Sequence, residues 1–454
     1  MSENGNNKKI NIHTWITLCL SLLFYLTMYF MFGVKLFSDS AGYINMDSTR
    51  EPVYPLFLAI AGLFGKTAQL EITAIVQNIF MALAVTYLAA TIRDTFKLKG
   101  YVMYFVAVMN YAVAFAGQFL SLNGCVYSNS ILTEGIALQM YLIFFALLIK
   151  AVNGGGIRYE IIMAILSALM MDTRKHMAIV YIICFAALFF ARIGRKDFIK
   201  KMAISLAIII CSIISATAGN YLYNLAVRGE MIKNTRDMNL VITTSLYVCD
   251  REDADLIKDE DARDIFIKVY DELDKKQANI KYAEGGIVKL SEHYANSFDV
   301  ITIDTTLPML EEDAVRRGYD EGLPAEMEAD RVSKVILSAI LKDNLGKYAK
   351  VYISSVYNGL VNTIAKRNSL LDIYAMIAYF CYIIIMIVLS RDSEKRPVSF
   401  FGFIVLGAIA VNVMVTSALI FCQPRYMMYN MALFYIAGGI MLYTLICNPK
   451  NREE

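Results

Sequence analysis

The chain has 454 residues, of which 57% are hydrophobic, with a mean hydropathy of +0.49 and a formal charge of +2. A soluble protein this apolar would have no residues left to cover its surface, so lipid must stand in for part of the core. The near-neutral charge, with no basic patch interleaved with aromatic residues, argues against a nucleic-acid partner.

A bilayer crossing needs about 20 mostly apolar residues, because an unpaired backbone group is costly in hydrocarbon. The sequence predicts about ten such spans, near 12–33, 70–92, 101–120, 134–150, 159–172, 176–191, 202–223, 372–389, 398–421 and 426–447. The run at 12–33 is too long for a signal-peptide core and reads as a retained helix. The fifth run is short and weak. Residues 53–64 are too short to cross and read as an interfacial or re-entrant helix.

Lysine and arginine crowd one set of loops, among them Arg93, Lys97, Lys150, Arg158, Arg192, Arg195, Lys200, Lys201, Arg391 and Arg396. The opposite set holds only Lys35, Arg50, Lys66, Arg174, Lys175 and Arg425. By the positive-inside rule both termini are cytoplasmic, and residues 224–371 form an acidic extracytoplasmic insertion. Residues 1–223 then make an N-terminal transmembrane module and 372–454 a C-terminal group of spans. Within the insertion, Asp250 to Gln277 has helical spacing, Val300-Ile301-Thr302-Ile303 reads as a short strand, and Arg331 to Lys350 carries an apolar stripe suited to a helix lying on the bilayer. The expected class is an all-α membrane protein with interfacial helices and one insertion of mixed structure.

None of the eight cysteines forms a C-x-x-C pair, so neither a zinc site nor a disulfide framework is indicated. Cys125 and Cys249 share the outer side, and compartment alone is a weak reason to pair them. Gly154-Gly155-Gly156 lacks the strand, spacing and lysine of a phosphate loop and reads as a turn.

Polar groups of the outer loops carry the chemistry. Asp39, just past the first span, is placed to accept a proton from a hydroxyl, or simply to mark the lipid boundary. Tyr43, Arg50 and Tyr54 follow in the same loop. Glu134 opens the fourth span, where the helix dipole favours a carboxylate whatever its role. Arg174, Lys175 and His176 form a cationic cluster on the side where cations are scarce, and need an anionic partner or an aqueous turn. Arg425 and Tyr426 precede the last span, where the arginine either clamps phosphate or anchors the helix end. His176 is more naturally a packed or surface histidine than a base.

Together these loops resemble the GT-C superfamily of integral membrane glycosyltransferases, in the branch of protein-mannosyltransferase-like and aminoarabinose-transferase-like enzymes. The matching pieces are Asp39 with Tyr43, Arg50-x-Pro52-x-Tyr54-Pro55, Leu132-Thr133-Glu134, Thr173-Arg174, Asn344 to Tyr348, and Pro424-Arg425-Tyr426. The resemblance implies a GT-C-like fold and inverting transfer of a sugar from a polyprenyl-phosphate carrier to a glycan, lipid or protein acceptor, in the plasma (inner) membrane. It implies catalytic roles for Asp39, as base, and for Glu134. It places the donor phosphate on Arg174, Lys175 and Arg425, with Tyr43, Arg50, Tyr54, His176 and Tyr426 around the substrates. Many members carry an acidic pair in the first loop, whereas Ser40 follows Asp39 here, which leaves a divalent metal open. Two other readings stand beside it: a polysaccharide polymerase or ligase using polyprenyl-pyrophosphate glycans, and a lipid-linked sugar transporter or flippase, which would show ionisable groups along a path through the bilayer.

Overall fold

The computed structural model describes residues 11–120 and 124–447. Nearly every element is a helix: α1 Ile12–Phe32, α2 Ser40–Ile44, α3 Val53–Gly62, α4 Gln69–Phe96, α5 Val102–Leu120, α6 Glu134–Val152, α7 Ile157–Met171, α8 Ile179–Arg192 and α9 Phe198–Arg228. There follow α10 Asp237–Val248, α11 Glu260–Lys275, α12 Ile287–Ile301, α13 Leu307–Arg316, α14 Leu323–Ile340, α15 Leu345–Ile364, α16 Ser369–Ser390, α17 Arg396–Leu419, α18 Pro424–Met427 and α19 Met431–Ile446. Among the described residues, nine helical segments are long and apolar enough to cross a membrane. The chain is therefore an all-α, multi-pass membrane protein.

The sequence predicted ten crossings. The difference is the fifth, α7, whose 15 residues rise about 22 Å, short of a 30 Å hydrocarbon layer. It packs between α6 and α9. Several polar side chains of these helices bond back within their own helix. Thr17, Asn78, Thr86, Asn110 and Ser167 each bond the carbonyl four residues back, at 2.7–2.8 Å.

Burial separates a hub from a rim. In α6 78% of the spanning window is buried and in α4 61%, against 28% in α1 and α9 and 17% in α16. The apolar side chains of the last three face outward, where only lipid suits them. The hub is cemented by Ala82, Val85, Leu88 and Ala89 of α4 against Phe144, Phe145 and Leu148 of α6. Helix α3 buries Tyr54, Leu58 and Ala61 on α4 and leaves Leu56, Ile60, Leu63 and Phe64 exposed. That two-sided distribution fits the interfacial helix expected for 53–64.

Two expectations for the insertion fail. It is helical throughout, and among the described residues it contains no strand. Val300 and Ile301 end α12, and Thr302–Thr306 form a π turn leading into α13. The apolar stripe of α14 does not lie on lipid: Val332, Ile336 and Ile340 are spent on a core shared with Ile265, Val269, Leu273, Phe298 and Leu310. Helix α15 ties this core to the membrane bundle, with Val351 in the first and Val361 and Ile364 in the second.

Candidate functional site

The site forms where loops from one end of the bundle meet. Helix α1 stops at Gly33, whose φ of +63° suits glycine, and the chain then pairs with the loop before α6. Lys35 N–H donates to Asn129 O at 3.0 Å, and Ile131 N–H returns to Lys35 O at 3.0 Å. Ser40 Oγ donates to Ile131 O at 2.8 Å. From beneath, Gln77 Nε2 donates to Ser128 O and Ser130 O at 3.0 Å, Asn78 Nδ2 to Asn129 Oδ1 at 2.8 Å, and Tyr54 OH to Gln77 Oε1 at 2.9 Å. These bonds hold Asp39 and Glu134 side by side. The loop carrying Arg425 is held by Asn358 and Asn362 of α15, whose amides donate to Cys422 O at 3.4 and 3.2 Å.

Charges of alternating sign then line up. Asp39 Oδ1 accepts from Arg50 Nη2 at 3.1 Å and Oδ2 from Arg425 Nη1 at 3.3 Å. Arg425 Nε lies 4.0 Å from Glu134 Oε1, and Glu134 is ion-paired with Arg174. Arg174 lies over the Tyr426 ring at 4.4 Å and Arg425 over the same ring at 5.0 Å, while Arg50 lies over Tyr43 at 4.6 Å. The three guanidinium groups of Arg50, Arg425 and Arg174 thus alternate with the carboxylates of Asp39 and Glu134. Arg50 Nε and Arg425 Nε are buried without a hydrogen-bond partner, an arrangement that invites an anion.

Not every residue singled out from sequence faces this cluster. Lys175 bridges Glu51 at 3.6 Å and Asp237 of α10, so its charge ties the membrane module to the insertion. Tyr54 is 0% exposed, engaged with Gln77, and supports the loop rather than meeting a ligand. Tyr43 is buried edge-on to Tyr54 at 5.2 Å, and burial pushes its hydroxyl up to about 12. His176 packs on the Tyr426 ring at 5.6 Å. Glu134 is 1% exposed beneath both arginines, which makes it a fixed counter-ion that aims them.

Sequence reasoning missed the insertion's part. Tyr294 and Phe298 of α12 pack on Phe421 at 6.2 and 4.9 Å, four residues before Arg425. The next residue, Asp299, lies within electrostatic reach of Arg425 and Asp39; burial raises its affinity for protons, Arg425 opposes that, and Asp304 and Asp39 add to it. At the seam with the first loop, Ser48 Oγ donates to Glu326 Oε2 at 2.7 Å and Asn234 Nδ2 to Glu51 Oε1 at 3.2 Å. Glu51 is raised by burial, and Asp172 reaches about 7 through burial with Glu51 nearby.

A cavity of about 40 Å³ adjoins the cluster, lined by Tyr25, Asn110, Tyr127, Ser128 and Tyr429 among others, with room for a water or two. Among the described residues, no group of three or more His, Cys, Asp or Glu is gathered to hold a metal ion. No protein-family model, curated protein or solved structure matches this chain.

Proposed function

We propose that this chain is an extracytoplasmic membrane glycosyltransferase, moving a sugar from a polyprenyl-phosphate carrier to an acceptor hydroxyl with inversion. The observation that carries this reading is the meeting of Arg50, Arg174 and Arg425. They come from three loops far apart in sequence, and two of them keep buried, unfilled donors. Bond cleavage at the anomeric carbon delivers negative charge to the carrier phosphate. Preorganised guanidinium groups stabilise that charge more in the transition state than in the ground state. Helix α3, with its outward Leu56, Ile60, Leu63 and Phe64, offers an apolar surface for the prenyl chain beside the headgroup site.

The resemblance to the GT-C pattern implies the base role for Asp39 and a share of the phosphate for Lys175. Asp39 in addition bridges Arg50 and Arg425, while the ion pairs of Lys175 make it a tie to the insertion. The transporter reading draws on one observation, a second buried ionic group in which Arg192 meets Glu160 and Ser205 between α7, α8 and α9.

The test uses purified protein in nanodiscs with a panel of radiolabelled polyprenyl-phosphate hexoses and pentoses, and membranes of the native host as the source of acceptor. Label moves to acceptor in the wild type, and Arg174→Gln lowers kcat/KM for the donor by about 10²–10³. A wild type that binds no polyprenyl phosphate and moves no label refutes the reading. Label crossing the bilayer still attached to its carrier would support the transporter instead.

A further inference from the structure

The insertion rejoins the membrane through α15, and that helix lies on the loop that carries Arg425. A Cβ at Gly359 would come within 2.7 Å of Cys422 Sγ and 2.8 Å of Val413 Cγ1, so the approach depends on the missing side chain. On either side of Gly359, Asn358 and Asn362 both donate to the Cys422 carbonyl, at 3.4 and 3.2 Å, and between them take up its two lone pairs. Beyond Arg425, Asn412 of α17 donates to Tyr426 O at 3.0 Å. Arg425 is thus bracketed by two held carbonyls.

A fourth arginine decides which way the Asn358 amide faces. Arg367, between α15 and α16, donates from Nη1 to Asn358 Oδ1 at 2.8 Å. A guanidinium carries donors only, so it fixes the amide oxygen on its own side and turns the NH2 toward Cys422. Arg367 is itself held: Asp372 of α16 lies 3.6 Å from its Nε, the Tyr357 ring lies 5.3 Å from its centre, and both charged side chains are mostly buried. Its counter-ion is Asp372, not Asp39 or Glu134. Without Arg367 the amide could turn and set its oxygen against the Cys422 oxygen, and Asn358 is buried where water is slow to replace a lost partner.

We propose that Arg367 is a positioning residue for the donor phosphate: by orienting Asn358 it sets the Cys422 carbonyl and, three residues on, Arg425. Donor affinity then depends on the helix that joins the insertion to the bundle. This rests on the reading above, in which a polyprenyl phosphate is seated at Arg425.

Binding of radiolabelled polyprenyl phosphate to the full chain in nanodiscs tests this as a double-mutant cycle. Arg367→Gln, whose amide does not dictate the facing of Asn358, weakens binding about three- to tenfold, the net contribution of one hydrogen bond. Asn358→Leu, which leaves the Arg367–Asp372 pair in place, does the same. In an Arg425→Gln background either substitution changes binding less than about twofold, because the group it positions is already gone. Arg367→Lys keeps a head with donors only and retains part of the affinity. Wild-type binding in Arg367→Gln, or an equal loss with and without Arg425, overturns the assignment; the second result would make Arg367 a support of the fold at large. Both leave glycosyl transfer standing. A wild type that binds no polyprenyl phosphate removes that reading and this assignment with it.

Discussion

Glu134→Gln tests the electrostatic design of the site. The variant keeps the size and hydrogen-bonding capacity of the side chain and removes its charge, leaving Arg174 and Arg425 without the anion between them. At the 4.0 Å separation of Arg425 Nε from Glu134, and an effective dielectric of about 20, one such pair is worth about 4 kcal/mol. Removing one partner of a buried pair costs about 3–5 kcal/mol, and the amide's remaining hydrogen bonds put this case at the lower end. The ligand-free variant should therefore unfold several degrees below the wild type in detergent. Saturating polyprenyl phosphate stabilises any protein that binds it, by about 2.7 kcal/mol at a hundred times Kd. In Glu134→Gln it should do more, because the phosphate supplies the charge the carboxylate no longer does. The gap between variant and wild type closes as ligand is added. A variant as stable as the wild type without ligand would refute the buried ion pair. A gap unchanged by ligand would mean that the phosphate is not seated on Arg174 and Arg425.

Two further outcomes follow from local geometry. A Cβ at Gly42 would lie 2.7 Å from Arg50 Nε and 2.9 Å from Asp47 Oδ2, so Gly42→Ala should push the Arg50 side chain off Asp39. Donor KM should then rise with little loss of thermal stability; an unchanged KM would take Arg50 out of the site. Asp172, with its proton affinity raised to about 7 by burial and by Glu51, favours the fold in its neutral form. Its contribution is fully present below its unfolded value near 3.8 and is lost as pH rises through about 7. The wild type should thus unfold at lower temperature at pH 8 than at pH 6, and Asp172→Asn should flatten that difference; an identical fall in the variant would assign it to another group.

The bundle was legible in the sequence because lipid imposes one rule everywhere, and long apolar runs have no other use. The site loops were legible for a related reason: Arg50, Arg174 and Arg425 lie on the side where cations are rare, so each had to have a partner. The insertion was less so. Val300-Ile301-Thr302-Ile303 has the branched side chains of a strand, yet Ile301 and Thr302 are both buried while Ile303 is exposed, as neighbours in a helical turn allow. The stripe of α14 was read correctly as a stripe, but periodicity says only that an apolar partner exists. Lipid and a protein core satisfy it equally.

The alternation of charge also explains how such a site stays folded before a ligand arrives. Three arginines gathered at the edge of a bilayer would repel one another and pay heavily for lost hydration. Here Asp39 separates Arg50 from Arg425, and Glu134 separates Arg425 from Arg174, so the guanidinium groups have counter-ions while the Nε donors of Arg50 and Arg425 remain unfilled. An anionic headgroup then competes for arginines already in place, and little reorganisation is needed when charge develops on it.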